Sequence, residues 1–272
     1  LSFYPDIRYA FSREKLLWRL NTNYSFRGTN TSQIFVRTGM TSKDISTGGT
    51  INPFINTLSS LLLRKNYIKL YESRYVTLGY NTNLKSGLRL EISAGFDHRK
   101  ILTNNTSFSI FKPSREYSDN MPLNEYLRDD QHLINLLHDQ KHFEFAADLT
   151  YTPYQRYRIF NGTRIPQGSE WPVFRLTWKH GMDRTPDLSD GYRHFDMLRL
   201  EVSHKRETGA FSELSWRIRT GGFADNRHVS FFDFFHFNAQ PITLLLDSYD
   251  DAFMLPSYYS MSTPEFYGEA HL

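Results

Sequence analysis

The chain has 272 residues, 39% hydrophobic and 16% aromatic, with 32 basic and 29 acidic residues and a formal net charge of +3. Charge this near balance gives no electrostatic case for nucleic acid, and a mean hydropathy of −0.53, with no apolar run of roughly 18 residues, excludes a bundle of membrane helices. The absence of cysteine rules out a disulfide framework or a thiolate metal site.

A strand near Ile7 opens the chain. Residues 16–26 follow, with Leu16, Trp18, Leu20, Thr22, Tyr24 and Phe26 on one face and Arg19, Asn21, Asn23 and Ser25 on the other. Side chains alternate across a strand with period two, so one face is oily and the other polar. Residues 33–40 form a third strand. Asn52-Pro53 then opens a helical segment through Leu63, with Ile55, Leu58, Leu61 and Leu62 at helical spacing.

Strands at 74–81 and 87–99 flank a tight turn at 82–86. The second is the clearest in the chain. Leu88, Leu90, Ile92, Ala94 and Phe96 oppose Arg89, Glu91, Ser93, Gly95 and Asp97. Residues 123–138 carry a second helical signal. Four further strands follow at 143–151, 173–180, 196–205 and 213–220, and a tenth is expected near Glu265.

The connections 41–73, 103–141 and 221–264 are long, whereas 82–86 and 207–210 are short. Membrane barrels alternate short turns with long loops in this way. The segment 152–172 breaks the alternation, since a short turn is expected there. Alternation by itself fits a half-buried sheet in a soluble protein. The recurrence of charge of both signs on the polar faces, strand after strand, favours a barrel lumen packed with ion pairs. The expected fold is therefore all-β: a partial antiparallel transmembrane β-barrel of about ten strands, one region over 1–272, with short helices in long loops. The lumen charges are Arg89, Glu91, Arg175, Arg199, Glu201, Arg217 and Arg219. The lipid face includes Leu90, Ile92, Leu198, Leu200, Leu214 and Trp216. The chain opens at Leu1 with no Met and no signal-peptide pattern, so either a leader was removed or this is a piece of a longer chain, and residues 265–272, which read as a strand beginning, favour the piece.

Candidate chemistry is sparse. His132, His138 and His142 lie close together, and the last two would share a helix face, but two imidazoles without a third ligand make a weak metal case. Asp247, Asp250 and Asp251 lack the Gly-punctuated loop of a calcium site. Gly221-Gly222 is too short to cradle phosphate and reads as a turn. No Gly-x-Ser-x-Gly motif is present. No catalytic residue, metal or cofactor is assigned. The segment 228–240 stands out, because Phe231, Phe232, Phe234, Phe235 and Phe237 are costly to leave in water on a loop. Phe231, Asp233, Phe234, His236, Phe237 and Asn238 are expected to fold into the barrel mouth, with Asp233 pairing to Arg199, Arg217 or Arg219.

A run of wording in the second half is more specific. It comprises Pro153-Tyr154-Gln155-Arg156-Tyr157, Asn161-Gly162-Thr163-Arg164-Ile165-Pro166, Gly168-Ser169-Glu170-Trp171-Pro172-Val173-Phe174, His236-Phe237-Asn238-Ala239-Gln240, Leu255-Pro256-Ser257-Tyr258-Tyr259 and Glu269-Ala270-His271-Leu272. With Asn52-Pro53-Phe54-Ile55-Asn56 and Lys65-Asn66-Tyr67-Ile68-Lys69-Leu70-Tyr71, this resembles the C-terminal barrel region of a Bacteroidota outer-membrane family, domain-of-unknown-function family 5686, over most of residues 45–272. Longer members carry a carboxypeptidase-like regulatory domain. The resemblance implies residence in the outer membrane of a Gram-negative bacterium, chain before Leu1 and strands after Leu272, but no reaction. The function expected is non-enzymatic: transport, export or assembly of envelope components. Its partners are outer-membrane lipid, lipopolysaccharide and envelope proteins, and nucleic acid is not among them. The alternatives are a soluble β-rich glycan-binding module and an outer-membrane hydrolase.

Overall fold

The computed structural model describes residues 1–26, 31–46, 51–104, 108–111, 114, 116–117, 119–122, 137–184, 193–209, 212–240, 252–254 and 256–272. Its strands are β1 (Ser2–Ala10), β2 (Lys15–Phe26), β3 (Ser32–Asp44), β4 (Leu70–Asn83), β5 (Leu88–Ile101), β6 (Gln140–Tyr151), β7 (Arg156–Phe160), β8 (Thr163–Gly168), β9 (Val173–Arg184), β10 (Arg193–Gly209), β11 (Ser212–Phe223), β12 (Ala239–Gln240), β13 (Phe253–Met254) and β14 (Tyr267–His271). Ten of them form one sheet in the order β1-β2-β3-β4-β5-β6-β9-β10-β11-β14. Every pairing in it is antiparallel. These are the ten strands the sequence predicts, each bound within four residues: β4 starts four earlier, and β3, β9 and β10 end four later. The sheet does not close on itself. β1 and β14 are its edges, so the partial barrel expected from sequence is an open sheet here.

Register turns alternation within strands into rows across them. Leu90 pairs with Leu149, Leu149 with Leu176, and Leu176 with Leu200. Ile34, Val76, Leu78, Ile92, Phe96, Phe143, Phe145, Phe174, Leu198 and Ile218 extend this face, and all are exposed. The opposite face carries the charges. Two glycines shape it. A Cβ on Gly79 would lie 2.1 Å from Cζ of Phe35, and one on Gly181 would lie 2.3 Å from Cζ of Phe195. Each aromatic ring covers a neighbouring strand's glycine, a packing that pins register.

The long connections lie at one end of the strands. One of them holds helix α1 (Pro53–Leu63), as predicted, with the Asn52 side chain accepting from the Phe54 amide at 2.9 Å. The second predicted helix lies almost wholly outside the described residues. At the other end, 152–172 is the β7–β8 hairpin, which pairs outside the main sheet. That explains why a turn position holds so many residues.

Candidate functional site

The segment 228–240 lies against the charged face at the long-loop end. Val229, Phe231, Phe232, Phe234 and Phe235 are buried. They pack with Tyr71, Phe195, Met197, Tyr258, Tyr259 and Tyr267 in one apolar cluster. Burying five such side chains, at about 1.5–3 kcal/mol each, accounts for a loop this aromatic. A 3-10 turn at Phe231–Asp233 sets the rings inward and aims Asp233 at the sheet.

Asp233 meets Arg99 of β5, with Nη1 donating to Oδ2 at 2.7 Å and both side chains about 9% exposed. Arg199, Arg217 and Arg219 were expected to stack on the loop and to pair with Asp233, and Arg99 is its partner in their place. Burial pushes the Asp233 carboxyl up, but the Arg99 guanidinium and His142 outweigh it and hold it below the usual carboxylate range. Arg199 lies with Cζ 5.4 Å from the Phe235 ring, so it stacks on this loop without pairing to Asp233. Arg217 and Arg219 face Glu201 at 3.7 and 2.6 Å, and Arg219 also reaches Glu269 at 3.0 Å. Arg175 pairs with Asp148 at 2.8 Å, and Arg89 with Glu91 at 3.3 Å.

His142 lies on β6, so it does not share a helix face with His138. His132, Asp247, Asp250 and Asp251 fall outside the described residues. The His142 Nδ1 contacts Asp183 Oδ1 at 2.6 Å. Its Nε2 sits 3.9 Å from Glu144 and 4.0 Å from Asp233. These three side chains form a metal-sized group. Arg99 already answers Asp233, and Lys179 answers Glu144 at 3.0 Å. The arrangement is an ion network joining loop to sheet. It lines a cavity of about 240 Å³ with Lys43, Asp97 and Arg199.

His236 is enclosed. Its Nε2 donates to the Phe231 carbonyl at 2.9 Å, and its Nδ1 accepts from the Ser262 hydroxyl at 2.7 Å. Burial lowers its pKa to about 4. The Ser–His pair so formed is a poor hydrolytic dyad, because a base this weak does not deprotonate a hydroxyl at neutral pH. Phe237 packs edge-on against Phe253 and Tyr267. The Asn238 carbonyl accepts from the Phe253 amide at 2.8 Å, beside the β12–β13 bridge.

The family model described as "Family of unknown function (DUF5686) C-terminal domain" matches residues 1–272. The chain belongs to this family. No curated protein and no solved structure matches it. The match takes in β1, β2 and β3, beyond the 45–272 span of the resemblance. The motif residues of this DUF5686 C-terminal domain have structural work to do. Asn52 caps α1, Tyr259 donates to Asp44 Oδ1 at 2.8 Å, and Glu269 and His271 lie on β14. The sequence reading missed Arg99 and Asp183, which lie on strands as ordinary alternating polar residues, and named His142 only as a weak metal candidate; strand register brings all three to the loop.

Proposed function

We propose that this domain forms the wall of an outer-membrane β-barrel whose segment 228–240 is a plug, serving passage or assembly of envelope components without catalysis. The observation that carries this reading is the two-sidedness of the sheet. One face is a row-by-row exposed apolar surface, and the other an ion-paired one. A water-soluble sheet does not leave so large an apolar face bare. At roughly 3.3 Å per residue, Phe143 to Tyr151 runs about 26 Å along the strand, near the roughly 25 Å apolar band of membrane barrels. Aromatics border the band at the short-turn end. Tyr24, Phe26 and Tyr80 contact edge-on, and Tyr151 stacks on Phe174, as in an interfacial girdle. The long connections then face outward. An open edge in hydrocarbon costs several kcal/mol per unpaired group, so β1 and β14 need pairing partners in the membrane.

The test is refolding the chain into detergent and into lipid vesicles. Cofractionation with vesicles after alkaline washing supports the reading, as does protection of the β5–β6–β9 face from aqueous labels. A monomeric folded product that stays in buffer without detergent, with Leu149 and Leu176 labelled freely as cysteine variants, overturns it.

A further inference from the structure

The cavity between the 228–240 loop and the sheet has a charged wall with one charge left over. Lys43, Arg99, Lys179 and Arg199 are the lysines and arginines that line it. The first three are answered within the wall itself. Lys43 meets Asp97 at 3.3 Å, Arg99 meets Asp233 at 2.7 Å, and Lys179 meets Glu144 at 3.0 Å. Arg199 makes no ion pair or hydrogen bond among the described residues, and its Nε is buried without an acceptor. Register explains why. Its neighbour on β9 is Thr177, which is committed to Asp148 at 2.6 Å, and its neighbour on β11 is Gly221, which has no side chain. Glu201, two positions along the same face of β10, is held by Arg219 at 2.6 Å and faces Arg217 at 3.7 Å. What Arg199 touches is the Phe235 ring, 5.4 Å from its Cζ. Stacking positions the guanidinium, but it supplies no counter-charge and no acceptor to a group that is always ionised and only donates.

We infer that Arg199 anchors a small organic monocarboxylate in this cavity. A guanidinium held by stacking presents its fork of donors to a carboxylate, the acceptor it pairs with best. The cavity of about 240 Å³ holds roughly eight water-sized groups at about 30 Å³ each, far more than an inorganic ion fills. The rest of the wall suits an organic body. Phe195, Met197 and Phe223 offer apolar surface, and Thr77 and Ser93 offer hydroxyls. Asp97, Glu144 and Asp233 stand on the same wall and repel a second negative charge, which limits the ligand to one carboxylate. The site lies between loop and sheet whether or not the sheet's other face meets lipid, so it stands apart from the membrane reading.

The experiment is calorimetric titration of the full chain, refolded in an uncharged detergent, with phenylacetate and glucuronate and with their uncharged counterparts, phenylacetamide and glucose. At least one acid should bind at about one per chain, and about tenfold or more tighter than its counterpart. Arg199→Gln should weaken that binding about 10–100-fold, the equivalent of one charge-assisted hydrogen bond. Arg199→Lys should weaken it less, because the charge stays and only the fork is lost. Arg89→Gln, on the charged face but outside the cavity lining, should leave it unchanged. Binding of neither acid, equal binding of an acid and its counterpart, or full affinity in an Arg199→Gln variant with the parent's circular dichroism overturns the inference. So does displacement of the acid by an equal concentration of chloride, which would make the site one for an inorganic ion only. If Arg199→Gln fails to fold, Arg199→Lys and the contrast between each acid and its counterpart decide. Each of these outcomes leaves the membrane reading standing.

Discussion

Arg99 and Asp233 are 134 residues apart in the chain, and their side chains meet at 2.7 Å. The contact ties the loop at 228–240 to the middle of the sheet. Both groups are buried, so removing one strands the other's charge.

Asp233→Asn and Arg99→Met should each destabilise the domain by about 3–5 kcal/mol, the usual cost of breaking a buried pair from one side. The double variant should cost less than the two singles combined. Arg89→Met, which removes an exposed pair with Glu91, should cost less than about 1 kcal/mol. Denaturant unfolding of the four variants checks this. In planar bilayers, Asp233→Asn should also raise or destabilise conductance if the loop plugs a pore.

His236 predicts a pH dependence of definite sign. Its folded pKa is depressed to about 4 by burial, whereas an unfolded imidazole titrates near 6.5. Between these values the unfolded chain binds the extra proton, so stability is complete above about 6.5 and falls as pH drops towards 4. The expected loss is on the order of 3 kcal/mol. His236→Gln should remove this slope while lowering stability at neutral pH, because Phe231 and Ser262 lose a well-placed partner. A pH titration of unfolding midpoints for both proteins decides it.

The apolar rows give a test that depends on medium. Leu176→Arg or Leu200→Arg, at mid-band, should cost about 2–4 kcal/mol in a bilayer. In water the same exposed positions should tolerate Arg to within about 0.5 kcal/mol. Glu201→Gln, on the ion-paired face beside Arg219, should cost about 1 kcal/mol in either medium. Unfolding from vesicles compared with refolding in detergent-free buffer separates the outcomes.

The ring-over-glycine contacts predict sensitivity to one methyl group. Gly79→Ala places a Cβ inside the Phe35 ring, and Gly181→Ala does the same to Phe195. Each should cost about 1–3 kcal/mol through overpacking. Combining Gly79→Ala with Phe35→Leu should recover part of the loss, measured by thermal unfolding. Gly268→Ala, where a Cβ meets nothing within 4 Å, should be nearly neutral.

What the sequence by itself determined was local. Period-two alternation marked all ten strands of the sheet and which residues share a face, because a strand's side chains alternate whatever lies beside it. Asn52-Pro53 marked the start of α1 for an equally local reason, a side-chain cap followed by a residue with no amide hydrogen to satisfy. The aromatic content of 228–240 marked a segment needing burial. Tertiary structure decided everything that depends on register or on long-range closure. It chose Arg99 over Arg199, Arg217 and Arg219 as the partner of Asp233, because spacing along a strand does not say which strand end a loop returns to. It began β6 at Gln140, which puts His142 on the strand, and set it between Asp183, Glu144 and Asp233. It aligned Arg74, His98, Lys141 and Arg184, four unremarkable residues in sequence, along one register row. It also left one open edge on β1 and one on β14, since closure depends on strand pairing and shear across the whole sheet, which no single strand encodes.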